Sequence, residues 1–205
     1  MTTRFSTKER ILDTAEALFA EHGFAGTSLR QVTGHAEVNL AAVNYHFGSK
    51  DNLVTEVFRR RMDEMSQARL SQLEAARRDS PSKLKPILRA FVEPALALSM
   101  DGEGGTAFVR VMARAYAERN DRLRRFLSDN YGHVLREFAR ALAECLPHLD
   151  KSTLYWRLDF LAGALTYAMA DFGLLRRGGE IDEISHCQRA AHELVAFAAA
   201  GLQAD

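Results

Sequence analysis

No charge of one sign dominates this chain. Lysine and arginine together number 27, and aspartate and glutamate also number 27. That balance excludes a globally basic surface, so any affinity for nucleic acid must come from a local patch. Cysteine is scarce: Cys145 and Cys187 are the only two in 205 residues. They are too few for a disulfide framework, and a reduced, cytoplasmic protein is the expectation. Long apolar runs are missing as well. The segment Met1–Arg10 is polar and carries no signal core. The most apolar window, 154–172, is interrupted by Arg157, Asp159 and Asp171, so no membrane partner is expected. Proline is rare, with four residues, and low-complexity tracts and internal repeats are absent.

What remains is helical period. Apolar residues make up 47% and charged ones 26%, a globular composition, and no window alternates as a strand would. Ile11, Leu12, Ala15, Leu18 and Phe19 form one stripe, with Thr7 as the cap before it and Gly23 as the stop after it. Thr27 or Ser28 opens a short second helix through Leu29 and Val32. Asn39 caps a third, ending near Phe47, and Ser49 caps a long fourth. A linker is expected at Arg77–Ser82. Further helices are expected at about 83–100, 107–118, 121–146, 152–175 and 182–202. The loops between them fall at Asp101–Gly105, Pro147 and Gly178-Gly179. The fold class is therefore all-α, with a boundary expected between 1–50 and 51–205.

The stretch VNLAAVNYHFGSK (Val38–Lys50) suits neither a core helix nor a catalytic loop. Three short helices, with about four residues between the second and third, match a helix-turn-helix at about 28–47, whose second helix enters a major groove about 12 Å wide. Small or apolar Leu40, Ala41 and Ala42 let the backbone approach the bases and touch thymine methyls. Asn44 and Tyr45 reach base edges or phosphates. His46, Lys50 and the start of the fourth helix meet phosphates. Thr27 and Ser28 offer hydroxyls to the same backbone, and Arg30 and Asn39 complete the candidate DNA-binding set. Val43 and Phe47 face inward. The alternative is a small polar-capped bundle with an exposed aromatic.

The segment KERILDTAEALFAEHGFAGTSLRQVTGHAEVNLAAVNYHFGSKDNL (8–53) resembles the N-terminal DNA-binding domain of the TetR family of transcriptional repressors. The resemblance implies a homodimer on double-stranded operator DNA, with a C-terminal helical domain that binds an inducer and dimerises. Two positions depart from the commonest pattern. Glu37 stands where the turn usually has glycine, at a cost of about 1 kcal/mol if φ is positive. Asn44 stands where tyrosine is usual. The form of Val38–Lys50, with FVRVMARAY, RLRRFLSDNYGHV and YWRLDFLAGAL further on, is similar to the fatty-acid-responsive, PsrA-like branch.

Aromatic and methionine residues concentrate after residue 90. Any single one is more often core than pocket. Together, Phe91, Phe108, Met112, Tyr116, Tyr131, Trp156, Phe160 and Tyr167 form a candidate effector-binding set for a small hydrophobic effector. Arg110 is its charged member. Arg110 and Arg114 share a helix face, either paired at the surface with Glu118 or anchoring an anionic head group. The helix at 152–175 is apolar on two sides, which implies its own core on one and a partner subunit on the other. Leu158, Leu161 and Leu165, with Leu194, Ala198 and Gly201 of the last helix, are the expected dimer interface. An intramolecular core is the alternative.

Cys145, Cys187 and the histidines at 133, 148, 186 and 192 have no metal-finger spacing. There is no phosphate-loop glycine pattern and no Ser-His-Asp constellation. Catalysis, a metal and a cofactor are not expected. A purely protein-binding helical adaptor is the other rival, and it would have no use for the Asn44, Tyr45, His46 and Lys50 cluster.

Overall fold

A computed structural model describes residues 6–80, 82–118, 120–170 and 183–204, without the side chains of Glu103, Tyr116, Glu183 and Ile184. Among the described residues there are nine helices and no strand. They are α1 (Thr7–Gly26), α2 (Leu29–His35), α3 (Leu40–Phe47), α4 (Lys50–Asp79), α5 (Leu84–Ser99), α6 (Gly102–Ala117), α7 (Asp121–Cys145), α8 (Lys151–Met169) and α9 (Glu183–Gln203). The all-α expectation holds. Gly178, Gly179 and the end of the helix expected at 152–175 lie outside the described residues.

The chain forms two compact units: 1–63 with 101–128, and 64–100 with 129–205. These units do not follow the sequential boundary at residue 50. Residues 101–128, which hold α6 and the start of α7, belong with the N-terminal helices.

Local chemistry sets the helix ends. Ser6, not Thr7, caps α1: its hydroxyl accepts the Glu9 amide at 3.2 Å, and the Glu9 carboxylate accepts the Ser6 amide at 2.8 Å. Glu9 three residues on makes Ser6 the better cap, because the reciprocal pair satisfies two amides at once. The same bonds hold the Glu9 carboxyl below its usual range. The linker expected at Arg77 starts later, because α4 continues to Asp79. Likewise α6 begins at Gly102, inside the glycine-rich stretch expected to be loop. Gly104 faces the Arg61 guanidinium so closely that a Cβ would collide with it, and a glycine in this first turn makes room for the arginine.

In the first unit, Phe19, Phe24, Phe58 and Phe108 form a chain of ring contacts, with centroids 5.4–6.3 Å apart. Buried Glu16, 2% exposed, is bonded by Arg60 and by Arg61. Arg60 also reaches Asp13 at 2.5 Å, and Arg61 reaches Asp101 at 2.7 Å. A buried carboxylate persists only with such partners. Burial works against the Arg60 charge, but Asp13 and Glu16 outweigh it and raise the guanidinium pKa.

The second unit centres on α5, which buries Ile87, Leu88, Phe91 and Val92. Phe91 meets Phe138 edge-on at 5.1 Å. Leu154, Leu158, Leu161 and Leu165 of α8 and Leu194 and Ala198 of α9 are also buried. Arg157 donates to the Leu202 and Ala204 carbonyls at 3.0 and 2.8 Å. That caps the carbonyl end of α9, where a cation is favoured.

Candidate nucleic-acid interface

Two caps set the helix-turn-helix. Ser28 and Gln31 form a reciprocal pair at the start of α2 (3.2 and 2.8 Å). Asn39 accepts the Ala42 amide at 2.8 Å and starts α3. Between them, Glu37 has φ +52°. The turn therefore keeps the left-handed geometry that usually selects glycine, and the glutamate takes the strain.

Helix α3 presents two faces. Val43 and Phe47 are buried, as its spacing implies. On the other side Ala41, Asn44, Tyr45 and His46 are exposed, Tyr45 at 86%, together with Leu40. Tyr45 and His46 meet edge-on at 5.1 Å. An apolar residue and a large aromatic left to solvent on a two-turn helix gain nothing for the isolated fold. Ser28, Arg30 and Asn39 are exposed as well, while Ala42 and Lys50 are half-buried. Ser49 accepts the Asn52 amide at 3.2 Å and so caps α4 beside this face.

Thr27 is a correction. It is 2% exposed, and its hydroxyl donates to the Gly23 and Leu18 carbonyls at 2.8 and 3.2 Å. Gly23, at φ +76°, interrupts α1 and leaves carbonyls that the threonine satisfies. The hydroxyl is used inside the fold and is not presented to a ligand.

Three side chains from the α6–α7 junction hold the helix-turn-helix within the first unit. Arg114 donates to the Glu21 carbonyl at 2.8 Å. The Glu118 carboxylate accepts the Phe24 and Ala25 amides at 3.1 and 3.3 Å. Arg122 donates to Asp51 at 3.0 Å and to the Asn52 side-chain oxygen at 2.8 Å. A Cβ on Gly23 would collide with the Glu118 carboxylate, so the glycine serves both the backbone turn and this approach. The pairing of Arg114 with Glu118 expected from their spacing is replaced by separate contacts to α1 and the residues at its end.

The residues expected to bind an effector are divided between the two compact units. Phe108, Arg110 and Met112 belong to the first unit: Phe108 is buried against Phe58, Met112 is half-buried and Arg110 is exposed. Tyr116 has its backbone there, and its side chain lies outside the described residues. In the second unit Phe91 and Tyr131 are buried. Trp156, Phe160 and Tyr167 are exposed on α8, Trp156 at 62% and Phe160 at 66%. The residues expected at a dimer interface lie mostly inside. Leu158, Leu161, Leu165, Leu194 and Ala198 are buried within the chain, and only Gly201 is exposed. Of the two apolar rows of α8, the leucine row is buried and the aromatic row is exposed. Phe197 of α9 is also exposed.

Two buried polar residues of the second unit escaped the sequence reading. They are Ser66 and Arg69, on the polar-looking second half of α4. Arg69 stacks its guanidinium over the Phe91 ring at 4.1 Å and donates to the Phe91 carbonyl at 2.9 Å. Period-3.6 counting of apolar residues misses an arginine that is buried through its stem and planar head. Burial, followed by nearby Glu144, raises the Cys145 thiol pKa, and burial followed by Glu93 raises that of Cys187. No cluster of metal-ligating side chains occurs among the described residues, and no helix there is long and apolar enough to cross a membrane.

Residues 11–57 match the family model for bacterial regulatory proteins of the tetR family. Residues 89–201, more than half of the chain, match the tetracyclin repressor-like C-terminal domain. An HTH-type transcriptional regulator encoded in the dhlA 5′ region of Xanthobacter autotrophicus is 30% identical over 150 residues, 70% of this chain and 67% of that protein. YttP, an HTH-type transcriptional regulator of Bacillus subtilis (strain 168), is 41% identical over 51 residues, a quarter of each chain. The crystal structure of a TetR-like transcriptional regulator from Rhodococcus sp. RHA1 shares the fold with a TM-score of 0.68 at 21% identity, over 100% of both chains. The chain therefore belongs to the TetR family of helix-turn-helix transcriptional regulators.

Proposed function

We propose that this protein is a homodimeric operator-binding regulator that reads the major groove with α3 and is released from DNA by a hydrophobic effector. The observation that carries the reading is the exposed face of α3. Leu40, Ala41, Asn44 and Tyr45 project from a helix anchored by Val43 and Phe47, which suits contact with base edges and thymine methyls. His46, Arg30, Ser28, Asn39 and Lys50 surround it and suit phosphates. Thr27 is left out of this set.

The exposed row of Trp156, Phe160 and Tyr167 on α8, with Phe197 and Gly201 of α9, supports assembly into a two-fold dimer. Contiguous exposed aromatics mark an interaction surface, and two copies of one patch are self-complementary under a two-fold axis.

For the effector, the wording of the C-terminal half favours a fatty acid or acyl-coenzyme A. Its acidic head has two candidate anchors, exposed Arg110 and buried Arg69. Release tenfold from DNA needs about 1.4 kcal/mol of differential affinity between two conformations.

The test uses a duplex enriched from a random-sequence pool by the wild-type protein. Fluorescence anisotropy should show tight, salt-dependent binding that Tyr45→Ala weakens about tenfold. Long-chain acyl-coenzyme A should then dissociate the complex, and Arg110→Ala and Arg69→Gln identify which arginine sets head-group preference. Failure to enrich any duplex contradicts the DNA reading. Release by a flat aromatic cation and by no acyl compound contradicts the effector class.

A further inference from the structure

The recognition helix is fixed at its carbonyl end by a side-chain relay. The last turn of α3 leaves carbonyls without helical partners, and the Asn52 side-chain amide donates to one of them, that of Phe47, at 2.9 Å. An asparagine amide needs its oxygen oriented to keep its nitrogen on such a target. Arg122 supplies that orientation by donating to the Asn52 oxygen at 2.8 Å, while its other nitrogen bonds Asp51 at 3.0 Å. The two-pronged contact uses the planar fork of arginine, which a lysine does not match. It also neutralises Asp51, the carboxylate in the first turn of α4, next to Lys50.

Position in the chain makes the relay informative. Arg122 lies 70 residues from Asn52, inside the stretch that matches the C-terminal domain model, yet it belongs to the compact unit of the helix-turn-helix. Arg114 and Glu118, eight and four residues earlier, grip the end of α1. Together these groups hold α1 and the junction of α3 with α4. Arg122 alone reaches the end of the reading helix, through one intermediary.

Resting on the DNA-binding reading above, we propose that Arg122 and Asn52 are positioning residues for sequence recognition: they set the angle of α3 without themselves touching DNA. Such a pair affects discrimination between sequences, whereas a phosphate contact affects all DNA alike.

The experiment compares two duplexes, the one enriched by the wild-type protein and a scrambled duplex of the same base composition, with Arg122→Gln, Asn52→Leu and the double variant. Both side chains are exposed, and thermal unfolding of each variant checks that the head remains folded. The ratio of the two affinities is the readout, because a charge that acts on any DNA cancels in it. Each single variant should lower the ratio about fivefold, near the worth of one net hydrogen bond. The double variant should lower it no further, since either change breaks the same relay. Arg122→Lys should restore the ratio only in part. Equal losses on both duplexes for Arg122→Gln, with a salt slope reduced by about one, would make Arg122 a phosphate contact and overturn the proposal. So would an unchanged ratio, or additive losses in the double variant. If the wild-type protein enriches no duplex, the DNA-binding reading fails instead.

Discussion

Phe160 and Leu161 are neighbours in sequence and lie on different faces of α8: the phenylalanine is 66% exposed and the leucine 5%. The buried side belongs to the core of the second unit. On the exposed side the Trp156 ring lies 5.9 Å from that of Phe160. Phe160→Glu should therefore leave the fold intact and yield monomers in sedimentation velocity. Leu161→Glu should instead unfold the second unit, because a charge replaces a core side chain whose truncation alone costs about 2–5 kcal/mol. A Phe160→Glu protein that sediments as a dimer would remove this face from the interface.

Tyr45 and Thr27 should behave as opposites. Tyr45→Ala should shift stability by no more than about 0.5 kcal/mol while weakening operator binding about tenfold. Thr27→Val should lower stability by about 1–2 kcal/mol, since two carbonyls lose a buried donor, and should leave the salt slope of DNA binding unchanged. Urea titrations and anisotropy on the same preparations separate the two effects. A reduced salt slope for Thr27→Val would return Thr27 to the DNA face.

Glu37 carries a left-handed backbone at φ +52°. Glu37→Gly should relieve strain of about 1–2 kcal/mol, offset in part by the extra freedom glycine gives the unfolded chain. The net expectation is a small rise in the thermal midpoint. A lower midpoint would mean that the glutamate side chain stabilises the turn by more than its backbone costs.

Asp150 caps α8, accepting the Thr153 hydroxyl at 2.5 Å and the Ser152 and Thr153 amides at 2.8 and 3.1 Å. The Thr153 hydroxyl, then its amide, hold the carboxyl below its usual range. A folded-state pKa below the unfolded one stabilises above the unfolded value and loses that contribution as pH falls through the folded value. Asp150→Asn keeps a cap oxygen but cannot titrate. Any advantage of the aspartate in thermal midpoint should thus be present at pH 7 and shrink below about pH 4. An advantage that grows on acidification would contradict the assignment.

The helix-turn-helix was legible because its determinants are local. Thr27 or Ser28 before Leu29, Asn39 before Leu40, and the spacing of inward-facing Val43 and Phe47 are all short-range signals. Even the strained Glu37 stood out against the expected glycine. Long-range partners left no such trace. Nothing around Thr27 announces that its hydroxyl turns back on α1, and a lone glutamate at position 16 does not predict two arginines 44 and 45 residues later. The two apolar rows of α8 were visible, but equal hydrophobicity cannot say which row meets the chain's own core. That depends on α5 and α9. The start of α6 was hidden by its glycines, of which Gly104 faces Arg61. Arg69 was hidden because charge suggests a surface.

Hydroxyl-radical footprinting of the wild-type protein on its enriched duplex tests the central claim most directly. A two-fold dimer reading with α3 should protect two half-sites related by a palindrome, with centres one helical turn or a multiple of it apart, about 34–36 Å per turn. Protection should fade at both half-sites for Tyr45→Ala. A single unrepeated protected stretch, or a wild-type pattern that Tyr45→Ala leaves intact, would contradict the account.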